Sequence, residues 1–244
     1  MDRVFIGTSG WHYAHWKGNF YPSSLPTSQM LEWYGGRFCT VEINNSFYRL
    51  PTEESIQNWK RQTPNDFCFA VKASRYITHN RKLLDPENSI AKFIAMLKGF
   101  GRKLGPALFQ LPPAWKLNQE RLKEFLQALP AGKRYVMEFR NPTWYTTPVY
   151  QLLRDHNVAL CISDLAGFLS PLEVTADFVY VRLHGPGDAY QGSYDAATQR
   201  RWATKIKQWT SESRSVYFYF DNDQAGHAAK NALALRRRLS VISA

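Results

Sequence analysis

The chain has 244 residues, 44% hydrophobic and 15% aromatic, with 31 Lys and Arg against 20 Asp and Glu for a formal charge of +11. That length can bury a substantial single core, and no apolar run approaches the ~18 residues that a membrane helix needs. Cys39, Cys68 and Cys161 are odd in number, widely spaced and set in apolar runs, with no CxxC or Cys/His zinc spacing, so buried thiols in a reducing compartment are expected.

Eight strand candidates run along the chain: Val4–Thr8, Cys39–Asn44, Phe67–Lys72, Ala107–Leu111, Tyr135–Arg140, Ala159–Asp164, Phe178–His184 and Val216–Asp221. The first begins almost at the N-terminus, so no secretory leader is expected and the cytoplasm is the expected location. Helix candidates fall between most of the strands. Met30–Tyr34 stops at Gly35-Gly36, Thr52 opens Glu53–Gln62, and Pro86-Glu87 opens a helix through Lys103. Gln119–Leu129 carries Leu122, Phe125, Leu126 and Leu129 on one stripe. Thr147-Pro148 starts Val149–His156, and Asp195–Thr210 and Gln224–Leu239 complete the set. Only Gly167–Thr175, with its Ser170-Pro171, reads as a short turn. Eight strands with intervening helices predict one α/β domain over residues 1–244, a single (β/α)₈ barrel of the TIM type. A doubly wound open sheet is the competing architecture, disfavoured because no G-x-G-x-x-G follows the first strand.

In such a barrel the working residues stand at the carboxyl ends of the strands. The seventh candidate makes the point. Val179, Val181 and Leu183 alternate with Tyr180, Arg182 and His184, and Gly185-Pro186-Gly187 then breaks the strand. Reading each strand to its end collects Trp11, Glu42, Asn44, Lys72, Gln110, Glu138, Arg140, Trp144, Asp164, Arg182, His184, Asp221 and Asn222. Strand interiors otherwise run apolar, so this ring of ionisable groups is organised. Any one of Glu42, Lys72 or Gln110 could equally belong to an ion-pair network capping the core. A complete ring kept for structure alone would be costly.

As a set, Gly7-Thr8-Ser9-Gly10-Trp11, Glu42-Ile43-Asn44 through Phe47-Tyr48, Phe69-Ala70-Val71-Lys72, Gln110-Leu111-Pro112-Pro113, Glu138-Phe139-Arg140, Ser163-Asp164 and Arg182-Leu183-His184-Gly185 resemble the motifs of the YecE-like family (domain of unknown function family 72). The resemblance spans nearly the whole chain and implies a TIM-barrel fold, but brings no reaction with it. Asp221-Asn222-Asp223 departs from the Asn-Asn that many members carry at that point.

Three chemistries suit the ring. Lys72, Arg140 and Arg182 could clamp a phosphate or carboxylate. Glu42 or Glu138 with His184 could perform acid–base chemistry. Glu42, Glu138, Asp164 and Asp221, with His79 or His184, could hold a divalent metal for phosphodiester hydrolysis, although the cations in the ring weaken its pull on a metal. The reading that uses most residues is an enzyme, a hydrolase or lyase, acting on an anionic nucleotide, nucleic acid or sugar phosphate at the barrel mouth. Glu42, Glu138, Asp164 and His184 are its catalytic candidates; Trp11, Asn44, Lys72, Gln110, Arg140, Trp144, Arg182, Asp221 and Asn222 are its binding candidates. The alternative is a non-catalytic nucleic-acid binder using the basic surface, where the plainer reading of the scattered Lys and Arg is a solvated exterior. Aromatic residues after the strands, Trp11, Tyr13, Trp16, Phe47, Tyr48, Tyr76, Trp144, Tyr145, Tyr190 and Tyr194, either stack on a ligand or pack the long loops.

Overall fold

The computed structural model describes residues 4–241. Every predicted strand is present: β1 Val4–Thr8, β2 Thr40–Ile43, β3 Cys68–Lys72, β4 Leu104–Gln110, β5 Tyr135–Glu138, β6 Ala159–Leu165, β8 Phe178–Leu183 and β9 Ser215–Phe220. Between β6 and β8 the expected turn is a hairpin, in which the two-residue β7, Phe168–Leu169, folds back antiparallel on the end of β6. The other eight strands are parallel in the order β1-β9-β8-β6-β5-β4-β3-β2. β1 and β2 meet through a single bridge between Ser9 and Glu42, which brings the sheet round to a TIM-type barrel.

The seam between β1 and β2 has its own fastener. Tyr34, on α1 (Met30–Gly35), accepts a hydrogen bond from the Thr8 amide at 2.9 Å and donates to the Thr40 carbonyl at 3.0 Å. Its hydroxyl spans two strands that lack a regular ladder. Gly7 is needed there, because a methyl group at that position would collide with the Thr40 carbonyl.

Six further helices cover the outside: α2 Glu53–Arg61, α3 Pro86–Lys98, α4 Gln119–Gln127, α5 Thr147–Asp155, α6 Ala196–Ser211 and α7 His227–Val241. Capping explains several starts: Thr52, Asn118 and Asp195 accept backbone N–H bonds from Ser55, Arg121 and Thr198. Two boundaries differ from expectation. α3 ends at Lys98 rather than Lys103, because Gly101 takes a left-handed φ of 55° and starts a short 3-10 turn. The last helix begins at His227, after Ala225 interrupts it with φ 55°. Of the three thiols, Cys68 and Cys161 are buried as expected, and Cys39 is only partly so.

Strand alternation divides the protein into two cores. Outward residues such as Val41, Phe69, Phe109, Met137, Val181 and Phe218 pack beneath the helices. Inward residues such as Phe5, Leu108, Val136, Phe178, Tyr180, Tyr217 and Tyr219 fill the lower barrel. Above them the same parity leads to Ser9, Glu42, Lys72, Glu138, Arg182 and Asp221.

Candidate active site at the barrel mouth

Arg182 occupies the middle of this upper layer with 1% of its surface exposed. Its Nε and Nη2 both donate to Glu42 Oε1, at 3.1 and 2.8 Å. Nη1 donates to Glu138 Oε2 at 2.8 Å, and Nη2 also reaches Asp221 Oδ2 at 3.0 Å and Ser9 Oγ at 3.1 Å. The other oxygen of Glu42 accepts from Tyr180 at 2.5 Å, and Ser9 Oγ, itself bonded to Glu42, accepts from Asn44 Nδ2 at 2.5 Å. Three carboxylates from β2, β5 and the end of β9 therefore surround one guanidinium, whose planar fork of five donors suits several acceptors at once. Arg182 is the hub of the ring. It is not the free anion clamp that the sequence suggested, since its donors are engaged within the protein.

The second arginine closes the group. Arg140 Nη2 lies 2.6 Å from Glu138 Oε1, an ion pair that lacks the alignment of a hydrogen bond, and 3.0 Å from His184 Nε2. His184 Nε2 also faces Arg182 Nη1 at 3.3 Å, while Nδ1 is 2.9 Å from Asp221 Oδ2. Guanidinium groups only donate, so Nε2 is the acceptor in both contacts, while Nδ1 faces Asp221 without the alignment of a hydrogen bond. The fully buried imidazole thus accepts from both arginines and helps to hold them in place.

Electrostatics follow from the packing. Burial alone would raise the carboxyl of Glu138, but Arg140 and Arg182 overcome it and hold that group well below the usual range. Asp221 is likewise lowered against its burial by Arg182 and His184. Lys72 moves the other way. Burial first, then the nearby Arg182, pushes its ammonium down to about 8. Its Nζ makes no ion pair or hydrogen bond among the described residues and stands 4.5 Å from the centre of the Phe47 ring. Arg140 Nε is also buried without a partner.

The remaining candidates separate. Asp164 falls on the outward face of β6, one residue out of phase with the barrel interior; burial raises its carboxyl, and it hydrogen-bonds with Tyr194, away from the arginines. The inward residue at that level is Ser163, level with Arg182. Asn222 is fully buried and fastens a loop, donating to the Gly192 carbonyl and to Asn231, both at 2.8 Å. Trp144 is also fully buried, stacked on Phe139, with Nε1 bonded to the Trp115 carbonyl, so it packs a loop rather than meeting a ligand. Trp16 and Tyr21 do the same, whereas Tyr48, Tyr76 and Tyr190 are well exposed. Gln110 is partly buried at the end of β4. His79 lies on the Phe47 side with Lys72, apart from the acids.

Trp11 and Asn44 line a cavity of about 420 Å³ beside the cluster, with Tyr13, Asn45, Asn58, Trp59 and Gln62. No Asp, Glu, Lys or Arg lines it. Tyr13 is shared with the cluster: its hydroxyl donates to the Ser9 carbonyl at 2.7 Å and feels the charges of Asp221, Glu42 and Arg182. Sequence reasoning passed over Ser9 and Tyr180 as site residues and read Tyr13 only as a ring that stacks on a ligand or packs a loop. Tyr180 was legible from its parity with Arg182, and Ser9 from its parity with Phe5 and Gly7.

Among the described residues, no three or more His, Cys, Asp and Glu side chains are grouped to hold a metal ion. Three of the acids proposed for that purpose, Glu42, Glu138 and Asp221, surround the guanidinium of Arg182, and Asp164 lies apart with Tyr194.

Comparison with known proteins agrees on the fold. The family model "Protein of unknown function DUF72" matches residues 5–243. The UPF0759 protein YunF of Bacillus subtilis is 23% identical over 275 residues, covering 98% of this chain and 95% of that protein. The UPF0759 protein YecE of Escherichia coli is 28% identical over 143 residues, 58% of this chain and 50% of that one. The crystal structure of a DUF72 family protein from Thermotoga maritima superimposes with a TM-score of 0.89 at 28% identity, covering 98% of this chain and 99% of the other.

Proposed function

The chain belongs to the DUF72 family of proteins of unknown function, and from that premise we propose an enzyme that performs proton-transfer chemistry on a small anionic substrate held by Lys72 at the barrel mouth. The observation that carries this reading is the Lys72 ammonium, half-buried at the end of β3 with the Phe47 ring beside it and no ion pair or hydrogen bond among the described residues. A cation partly withdrawn from water with no counter-charge bonded to it is costly. The three nearest acids are already gathered around Arg182, so the natural partner is an anionic group from outside, a phosphate or carboxylate. Arg140, with its Nε free, stands ready as the second donor.

The same lysine is the group best suited to exchange a proton near neutral pH. Glu138 and Asp221 stay ionised under the arginines, which keeps the field around the substrate constant. The adjoining cavity, with His12, several amides and two indoles, Trp11 and Trp59, has room for the remainder of the ligand. A metal-dependent phosphodiester hydrolase has less support, because its carboxylates would first have to leave Arg182.

Titration calorimetry with sulfate and inorganic phosphate tests the reading. The native chain should bind, and Lys72→Met should bind roughly 10–100-fold more weakly, the worth of one charge-assisted contact. Equal affinity in the two proteins would sink it.

A further inference from the structure

The opposite end of the barrel carries a different feature. β3, β4 and β5 are neighbours in the sheet, and the segments leading into all three carry basic residues. Lys60 and Arg61 close α2, Lys98 closes α3 with Arg102 following, and Lys133 and Arg134 directly precede β5. Two cavities of about 530 and 470 Å³ lie among them and share Arg102. No Asp or Glu lines either cavity, and among the described residues none of these six cations forms an ion pair. Beneath them Lys103 is buried, its Nζ held by the Lys60 carbonyl at 2.7 Å, the Thr63 carbonyl at 2.8 Å and Thr63 Oγ1 at 3.0 Å. Asp66 and Asp177 act on Lys103 and Tyr217 here, and Glu53 lines an adjoining cavity with Lys60 and Lys98.

A helix dipole explains only part of the cluster. Lys60, Arg61 and Lys98 lie in last turns, where cations are favoured. Arg102, Lys133 and Arg134 lie beyond the helices, and α4 and α6 end with no cation in the last turn. The exposed large apolar side chains, Tyr48, Tyr76, Leu117, Phe168 and Tyr190 among them, fall in loops that leave the strands at the mouth. The rings that line the two basic cavities, Tyr217 and Phe100, are buried, so among the described residues those cavities present no exposed ring on which an unpaired base could stack.

We infer that this face binds the phosphate backbone of double-stranded nucleic acid without reading its sequence. Backbone phosphates repeat at short intervals and are neutralised by grooves of Lys and Arg alone. The interaction is separate from the mouth and needs none of its residues.

Fluorescence anisotropy with a labelled duplex of about 30 base pairs tests it. If four phosphates are neutralised, affinity should drop about 100-fold between 50 and 200 mM salt. Lys98→Glu with Arg102→Glu, both exposed, should weaken binding at least about tenfold and flatten the salt slope. Lys98→Gln with Arg102→Gln should weaken it in the same direction, and keeps the test valid if the charge-reversed protein does not fold. Lys72→Met should leave duplex affinity unchanged. The inference is overturned if no duplex binds at low salt, or if Arg200→Glu with Arg201→Glu on α6 costs as much as the reversal at the basic end. Binding to phosphatidylserine vesicles without binding to duplex would overturn it too, in favour of a lipid surface.

Discussion

Arg182 and Glu42, 140 positions apart in the chain, form a buried pair in which Nε and Nη2 of the guanidinium converge on one carboxylate oxygen, at 3.1 and 2.8 Å. The pair ties β8 to β2 across the barrel, and Glu138 and Asp221 complete the shell. Removing the cation strands three carboxylates in the interior. Arg182→Met should therefore cost about 3–5 kcal/mol of stability, the usual penalty for breaking a buried pair from one side. Arg182→Lys should recover little, since one ammonium cannot reproduce the fork. Urea denaturation of the three proteins measures this. Near-native stability of the methionine variant would mean that the cluster contributes little.

The same cluster sets an acid limit. The Glu138 and Asp221 carboxyls lie lower in the folded chain than their unfolded values of about 4. Their stabilising contribution is complete above about pH 4 and is lost as pH falls from there through the folded values, because the unfolded chain takes up protons first. Urea midpoints at pH 7, 5, 4 and 3 should stay level across the first two and then fall. Glu138→Gln should show a shallower decline, and an unchanged slope in that variant would remove Glu138 from the account.

Lys72 has the opposite linkage. With its folded value pushed down to about 8 and an unfolded value near 10.4, its charge penalises the folded chain below about pH 8, and the penalty is relieved as pH rises towards 10. Lys72→Met should melt higher than the native chain at pH 7, by roughly 2–4 °C for each kcal/mol relieved, and lose that advantage near pH 10. Sulfate should stabilise the native chain at pH 7 and much less at pH 10. Melting curves at the two pH values, with and without sulfate, decide the matter.

At the seam, Tyr34→Phe deletes the hydroxyl between the Thr8 amide and the Thr40 carbonyl, leaving two buried backbone groups without a partner. A loss of about 1–3 kcal/mol is expected, with faster hydrogen exchange at the Thr8 amide than elsewhere in β1. Uniform protection along the strand would show that β1 and β2 hold together without the tyrosine.

Much of this protein was legible in its residues because alternation has a fixed period. Once Val179, Val181 and Leu183 are assigned to one face, Tyr180, Arg182 and His184 must share the other, and the same logic places Glu42, Lys72, Glu138 and Asp221 at one end of a barrel. Asp164 was misplaced when it was chosen by its chemistry at a strand end, although parity pointed to Ser163. Trp144 and Asn222 were misplaced because a loop residue has no period to read.

The barrel, its parity and the composition of its upper layer thus belong to local sequence. Which charges are satisfied and which are left over was decided by closure alone. Wrapping the sheet brings carboxylates from β2, β5 and β9 onto Arg182 and leaves Lys72 beside a ring of Phe47, and pairings within about 3 Å depend on strand tilt and rotamers that no one-dimensional pattern carries.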